Sequence, residues 1–134
     1  MVERWIAIVG SRDFWDYSFM CRWMHAVMME YPFKWNIPLT KYEHHRIGIV
    51  SGGARGADSL AARYAHDMML TLHVIEPKWE EYGRKAGMMR NSQIVEKADL
   101  VVAFWDGESR GTADTIEKAQ LAGKDLKVFF YEKG

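Results

Sequence analysis

The sequence predicts an α/β fold, a single Rossmann-like three-layer domain with a mostly parallel sheet of about five strands. Short apolar runs alternate with segments of helical periodicity, in the order β-α-β-α-β-α-β-α-β. This alternation implies a parallel sheet with helices on both faces, because each right-handed crossover lays its helix against the sheet. The length of 134 residues fits one compact domain, which we expect to span residues 1–134.

The predicted strands are apolar runs that end at a glycine, a proline or a polar loop. The run from Trp5 to Val9 is apolar on both faces, as is typical of a central parallel strand. The predicted strands cover residues 4–9, 47–50, 71–75, 100–104 and 126–130.

Helical spacing of apolar residues predicts four helices between these strands. The first covers residues 16–31, and we expect Pro32 to stop it. The second follows Asp58 as a candidate N-cap, the third lies within 83–97, and the fourth covers 112–121 with Gly123 as its C′ residue. Residues 32–46 are predicted to form a loop. The apolar face of the second helix is predicted to comprise Leu60, Ala61, Tyr64, Ala65 and Met68.

Composition limits the classes of function. Eighteen basic and 18 acidic residues give a formal net charge of zero, so the overall basic charge of many nucleic-acid-binding domains is missing, although a local basic cleft remains possible. Cys21 is the sole cysteine, and no CxxC or HExxH spacing occurs, so we predict no disulfide, metal site or cofactor. Without a signal peptide or an apolar run of about 18 residues, we expect a soluble cytoplasmic protein and no membrane partner.

Three loops leave the carboxyl ends of predicted strands, where open α/β sheets bind ligands. They cover residues 10–12, 51–58 and 106–112, and each combines glycine with serine or threonine. Because parallel strands end at the same edge of the sheet, we expect the three loops to converge. Their convergence is more informative than any single loop.

The loop at 51–58 is the clearest anion-binding candidate. Its glycines allow close backbone approach to a ligand, the following helix offers free N–H groups and a positive dipole end, and Arg55 adds a cation. A tight strand-to-helix turn with Asp58 as its cap is the structural alternative. The spacing is not that of a Walker A loop, GxGxxG or GxSxG. The candidate ligand-binding residues of this loop are Ser51, Gly52, Gly53, Ala54, Arg55, Gly56, Ala57 and Asp58.

The other candidates lie around the first and fourth strands and early in the third helix. Backbone groups and the Thr112 hydroxyl offer a second phosphate or ribose contact, Arg12 and Arg90 offer cations, and Trp105 offers a stacking surface. An ordinary turn, solvated arginines and a packed tryptophan are the alternatives. These further ligand-binding candidates are Gly10, Ser11, Arg12, Arg90, Asn91, Trp105, Asp106, Gly107, Ser109, Gly111 and Thr112.

These motifs resemble a known set when taken in order. GSRDF at 10–14, VSGGARGADSLAARYA at 50–65, Pro77 with Trp79, GRKAGMMRN at 83–91 and ADLVVAFWDGESRGTADTIEKA at 98–119 are similar to the YspA-like branch of the SLOG superfamily. The resemblance runs from Ile6 to about Val128, with the 32–46 loop outside it. It implies a Rossmann-like fold that binds nucleotides or nucleotide-derived ligands.

Two related groups imply different activities. The LOG phosphoribohydrolases, often homodimers, use an arginine and a PGGxGTxxE signature. Arg90 and Gly111-Thr112 match parts of this signature. Thr115 stands where the catalytic glutamate is expected. Asp114 lies one residue early, about 100° around a helix. The DprA group binds single-stranded DNA, and it resembles this chain at residues 10–12, 51–58 and 90–91.

The sequence therefore leads to three ordered hypotheses. The first is a binding module or sensor for a nucleotide or nucleotide-derived small molecule. The second is a LOG-like N-glycosidase or phosphoribohydrolase, with Arg90 and Asp114 as its candidate catalytic residues and Asp106 or Asp13 as possible substitutes for the missing carboxylate. The third is a DprA-like module for single-stranded DNA. The resemblance to LOG proteins also suggests a homodimer.

Overall fold

The computed structural model describes residues 1–38, 40 and 44–133 and confirms the predicted α/β class. Five parallel strands form one sheet, and helices cover both faces. The strands are β1 Arg4–Gly10, β2 Ile47–Ser51, β3 Thr71–Val74, β4 Leu100–Trp105 and β5 Asp125–Phe130. The helices are α1 Tyr17–Lys34, α2 Ala57–Asp67, α3 Trp79–Tyr82, α4 Ala86–Lys97 and α5 Arg110–Leu121, with short 3-10 turns at His44–Arg46 and Gly83–Lys85.

The strand order is β3-β2-β1-β4-β5, which places the first strand at the centre of the sheet. The chain builds outward from β1 to β3, then crosses back to lay β4 against the other side of β1. Strand order therefore reverses between β1 and β4, and the loops after these strands diverge there. This crevice is where open α/β sheets bind ligands.

The hydrophobic core has two parts, one on each face of the sheet. Successive residues of a strand point to opposite faces, so Ile6 and Ile8 join the core under α1 and α2, whereas Ala7 and Val9 join the core under α4 and α5. All four of these side chains are at least 95% buried. The central strands are thus enclosed on both faces, as their apolar sequence predicts.

Two helix ends differ from the prediction. Pro32 does not stop α1, which continues to Lys34. Proline removes one N–H donor but keeps a helical φ, so the turn that follows it can still form. Asp58 is not the N-cap of α2: Gly56 holds that position with φ +73°, and Asp58 lies inside the first turn. Met68 is also not part of the buried face. Helix α2 ends at Asp67, and Met68 is 49% exposed.

The remaining boundaries shift by one or two residues. The fourth predicted helix begins at Arg110 rather than at 112, and Gly123 closes it as the predicted C′ residue with φ +69°. The segment 83–97 divides into a 3-10 turn and α4, and a separate short helix, α3, precedes it. The edge strand β3 is exposed along its whole length. None of the helices in the described part of the chain is both long and apolar enough to cross a membrane.

The packing of β1 gives a stability prediction. A Cβ added at Gly10 would lie 2.7 Å from the Ala57 Cβ and closer still to the Phe104 carbonyl oxygen. We expect Gly10→Ala to lower the free energy of unfolding by about 1–3 kcal/mol, as overpacking does. Gly111→Ala is the control, because its Cβ would enter open space and alanine favours a helix by up to about 1 kcal/mol. Urea unfolding measures both, and equal stabilities would contradict the packing argument.

Candidate functional site

A cleft of about 450 Å³, here called the central cleft, opens at the carboxyl ends of β1, β2 and β4. The three loops predicted to converge all contribute to it. It is lined by Val9, Gly10, Ser11, Arg12, Asp13, Ala54, Arg55, Asp58, Arg90, Asn91, Ile94, Asp106, Glu108, Ser109, Gly111, Thr112, Thr115 and Lys133.

A second cleft of about 600 Å³, here called the side cleft, lies toward the end of β3. Four residues line both clefts: Arg12, Ala54, Arg55 and Arg90. The two spaces are therefore neighbours that share a basic boundary. The side cleft is lined in addition by Gly53, Glu76, Pro77 and Trp79.

The loops after β1 and β2 are fixed to each other through backbone atoms. The N–H of Ala57, the first residue of α2, donates to the Ser11 carbonyl at 3.1 Å. Gly56 has φ +73°, and a Cβ there would collide with backbone atoms of Ser11 and Arg12. The absence of a side chain at Gly56 therefore lets the two loops pack together. Gly56 lines neither cleft.

Asp58 occupies the amino end of α2 as a buried carboxylate. Only 7% of the residue is exposed, and its Oδ2 accepts a hydrogen bond from the Ala54 N–H at 3.1 Å. Burial is the main influence and raises the pKa of Asp58 to about 6, against the opposing effects of that hydrogen bond and the charges of Arg90 and Arg12. An anion placed directly at this helix end would meet the Asp58 carboxylate. The favourable position for an anion is therefore farther into the central cleft.

Arg90 is buried on α4 and connects two of the loops. Its Nη1 donates to the Gly52 carbonyl and its Nε to the Asn91 Oδ1 at 3.0 Å. Asn91 in turn donates to the Gly111 carbonyl at 3.2 Å and to Asp114 at 3.1 Å. Burial lowers the pKa of Arg90 from its ordinary value. The chain of hydrogen bonds holds the loop after β2 in register with the start of α5.

The amino end of α5 lacks a side-chain cap. Ser109 is the N-cap residue, but its hydroxyl lies 3.2 Å from the Thr112 hydroxyl and caps no backbone N–H. Ser11, which lines the same cleft, is 2% exposed, and its Oγ has no partner at hydrogen-bond distance among the described residues, although the Tyr131 hydroxyl lies near enough to interact with it. Uncapped N–H groups and a positive dipole end favour an anion.

One end of the central cleft holds three carboxylates that surround Lys133, which follows β5. Lys133 Nζ lies 3.0 Å from Asp106, 3.2 Å from Asp13 and 3.8 Å from Glu108. Burial alone would raise the pKa of Asp106, but hydrogen bonds from the Ser109 and Glu108 N–H groups, together with Lys133, lower it to about 2. The carboxylates at this end already have partners. Among the described residues no cluster of three or more metal-ligating side chains occurs.

The structure brings twelve of the predicted ligand-binding residues to the central cleft. They are Gly10, Ser11, Arg12, Ala54, Arg55, Asp58, Arg90, Asn91, Asp106, Ser109, Gly111 and Thr112. Gly53 lines the side cleft only. The residues that line neither cleft are Ser51, Gly52, Gly56, Ala57, Trp105 and Gly107.

Several of the residues outside the clefts have structural contacts instead. The Ser51 hydroxyl donates to the Asp58 carbonyl at 3.1 Å, and Trp105 Nε1 donates to the Ser109 carbonyl at 3.0 Å. Asp114 also lies outside both clefts and forms an ion pair of 2.8 Å with Lys118. Thr115 lines the central cleft in its place, with its hydroxyl bonded to the Gly111 carbonyl at 3.2 Å.

The side cleft contributes residues that were not among the sequence candidates. Glu76 and Trp79 follow β3, whose end belongs to none of the three predicted site loops, and the Pro77–Trp79 motif was the available signal. Lys133 lies beyond the last strand, where no motif marks it. Its position in the cleft depends on how β5 returns the chain beside β4.

The chain is similar to the Gene 61 protein of Mycobacterium phage D29. The two are 42% identical over an alignment of 81 residues, and the match covers 56% of this chain and 65% of that protein. The matched part is thus less than two thirds of the phage protein. No model of a protein family matches the chain, and no solved structure matches it.

The raised pKa of Asp58 gives a pH-dependent stability. Its pKa of about 6 in the folded state exceeds the ordinary 3.8, so its stabilising contribution is complete below about pH 3.8 and is lost as pH rises through 6. We expect the free energy of unfolding of the native chain to fall by about 3 kcal/mol relative to Asp58→Asn between pH 3.5 and 7. Urea unfolding of both proteins at several pH values measures this, and parallel curves would contradict the assignment.

Proposed function

We propose that this chain binds a nucleotide or nucleotide-derived ligand in the central cleft, as a binding module or sensor of the SLOG type. The observation that carries the proposal is the buried Ser11 hydroxyl, which has no partner at hydrogen-bond distance and only the more distant Tyr131 hydroxyl nearby, in the same cleft as the uncapped amino end of α5. Buried polar groups are normally satisfied. A phosphate oxygen bound between Ser11 and Thr112 satisfies this one.

Two arginines support the same position for the phosphate. Arg12 and Arg55 line the central cleft, are exposed, and form no ion pair or side-chain hydrogen bond with any residue that the structure describes. Arg90, by contrast, already donates to Gly52 and Asn91. Free guanidinium groups can bind phosphate with two parallel hydrogen bonds. We therefore assign phosphate binding to Arg12 and Arg55, and the positioning of the loops to Arg90.

The SLOG assignment is supported by where its motifs lie. The motif residues Gly10 to Arg12, Arg90-Asn91 and Gly111-Thr112 are far apart in sequence, yet all of them line one cleft. That cleft lies beside the reversal of strand order between β1 and β4. Motifs that converge at this point are what a nucleotide-binding α/β domain needs.

A second candidate function is hydrolysis of an N-glycosidic bond, favoured by one observation. Asp58 lies beside Arg90 in the central cleft with a pKa raised to about 6, a value suited to general acid or base catalysis near neutral pH. This carboxylate replaces Asp114, which lies outside the cleft, as the candidate catalytic group.

Ribose 5-phosphate tests the proposed phosphate site without involving a base. We expect Arg12→Ala and Arg55→Ala each to weaken its binding by about 1.5–3 kcal/mol, the value of a hydrogen bond to a charged group. Arg22→Ala is the matched control, because Arg22 is exposed on α1 and lines neither cleft. Isothermal titration calorimetry measures the affinities. Unchanged affinity in both Arg12→Ala and Arg55→Ala would contradict the proposed position of the phosphate.

Incubation with nucleoside monophosphates separates binding from hydrolysis. Because the Asp58 carboxylate accepts a hydrogen bond from the Ala54 N–H, we expect the nucleotides to bind without release of free base. Chromatography over several hours measures the free base. Release that disappears in Asp58→Asn, while binding persists, would establish the hydrolase instead. Tight, salt-sensitive binding of oligonucleotides in place of mononucleotides would favour the single-stranded DNA module.

A further inference from the structure

The side cleft contains an exposed aromatic ring and a carboxylate that the proposed phosphate site does not use. Trp79 and Glu76 line it together with the arginines that it shares with the central cleft. A nucleotide has two chemically different ends, an anionic phosphate and a flat base. The central cleft contains uncapped helix N–H groups suited to the phosphate, and the side cleft contains an aromatic ring suited to the base.

Trp79 is placed to stack on a planar group. Its six-membered ring lies over Gly87 of α4, where an added Cβ would come within 3.2 Å of Cη2. The residue is nevertheless 49% exposed, and its ring has no aromatic partner among the described residues. Exposed aromatic side chains in a cleft next to phosphate-binding cations are the usual platform for a nucleobase.

Glu76 differs from the other carboxylates of the two clefts. Asp58, Asp106, Asp13 and Glu108 all have hydrogen-bond or ion-pair partners. Glu76 has none among the residues that the structure describes, although its side chain lies against Gly53, where an added Cβ would be 3.0 Å from its Cγ. An ionised carboxylate only accepts hydrogen bonds. A group that binds to it must present N–H or O–H donors.

We infer that the side cleft binds the base of the nucleotide, and that Glu76 selects a base with two adjacent N–H donors, as guanine has. The inference rests on the proposed function for the phosphate. Guanine offers N1–H and the N2 amino group to the two carboxylate oxygens while Trp79 stacks on its ring. Hypoxanthine offers only N1–H. Adenine presents the lone pair of N1 to the carboxylate, which repels it.

The charges of the clefts fix the orientation of such a ligand. The unpaired carboxylate of Glu76 disfavours a phosphate in the side cleft, so a phosphate bound by Arg12 and Arg55, which line both spaces, is favoured on the central-cleft side. The ribose then lies beside Ala54, which lines both spaces. In this arrangement the phosphate contacts contribute affinity for any nucleotide, and the base contacts determine which nucleotide binds most tightly.

Calorimetric titrations with GMP, IMP, AMP and ribose 5-phosphate test the base site. We expect GMP to bind at least tenfold more tightly than ribose 5-phosphate, with IMP between GMP and AMP. Trp79→Ala should reduce GMP affinity about tenfold or more and leave ribose 5-phosphate affinity unchanged. Glu76→Gln should abolish the preference for GMP over AMP. Trp79→Phe should retain most of the affinity, and Trp15→Ala is the matched control, because Trp15 is 58% exposed and lines neither cleft.

The outcomes separate this inference from the proposed function. Equal affinities for GMP, AMP and ribose 5-phosphate, with binding that still depends on Arg12 and Arg55, would overturn the base site and leave the phosphate site intact. Base-dependent binding that is unchanged in Trp79→Ala and Glu76→Gln would also overturn it. Binding that depends on Trp79 and Glu76 but not on Arg12 or Arg55 would support the base site and overturn the phosphate site. Absence of binding by all four probes would overturn both.

Discussion

The candidate site depends on the buried guanidinium of Arg90. Its bonds to the Gly52 carbonyl and to Asn91, and those of Asn91 to Gly111, connect the end of β2 with the start of α5 through α4. Removing a partner from a buried charge costs several kcal/mol, because the remaining charge keeps its desolvation penalty. A Cβ at Gly52 would lie 2.8 Å from Asp58 Oδ2 and overlap the guanidinium, so a larger residue there would have to displace both charged side chains. The shape of the cleft is thus set by one buried cation and the groups that compensate it.

The fold followed from the sequence because its signals are local. Buried parallel strands such as β1 and β4 are apolar on both faces, and the helices between them show their period directly. The convergence of residues 10–12, 51–58 and 106–112 followed from parallel topology alone. Helix ends were less predictable: Pro32 lies inside α1, and Gly56 rather than Asp58 caps α2. Such ends depend on which neighbouring groups compete for the terminal N–H and C=O groups.

The roles of individual site residues could not be read from the sequence, because burial is a property of the whole fold. Asp58 looked like a cap, yet it is a buried carboxylate that offsets the charge of Arg90. The glycines of the 51–58 loop looked like places for ligand approach, but Gly52 and Gly56 make room for Arg90 and for the loop after β1. Lys133 is the last residue that the structure describes, and it joins the cleft because β5 lies beside β4. Contacts between distant segments decided each of these cases.

The same contacts bear on whether the site would bind or cleave a nucleotide. Catalysis requires interactions that strengthen in the transition state, so a catalytic carboxylate must be free to meet charge developing on the sugar. Thr115 offers a hydroxyl that is already bonded to Gly111, and Asp114 is paired with Lys118 outside the cleft. Asp58 is held by Ala54 beneath the loop. Among the cleft residues that the structure describes, Ser11, Arg12, Arg55 and Glu76 have no partner at hydrogen-bond or ion-pair distance, and in our proposal they contact the phosphate and the base. The proposed ligand would meet free groups at its two ends and none at the bond between them, which supports the proposal of binding over that of cleavage.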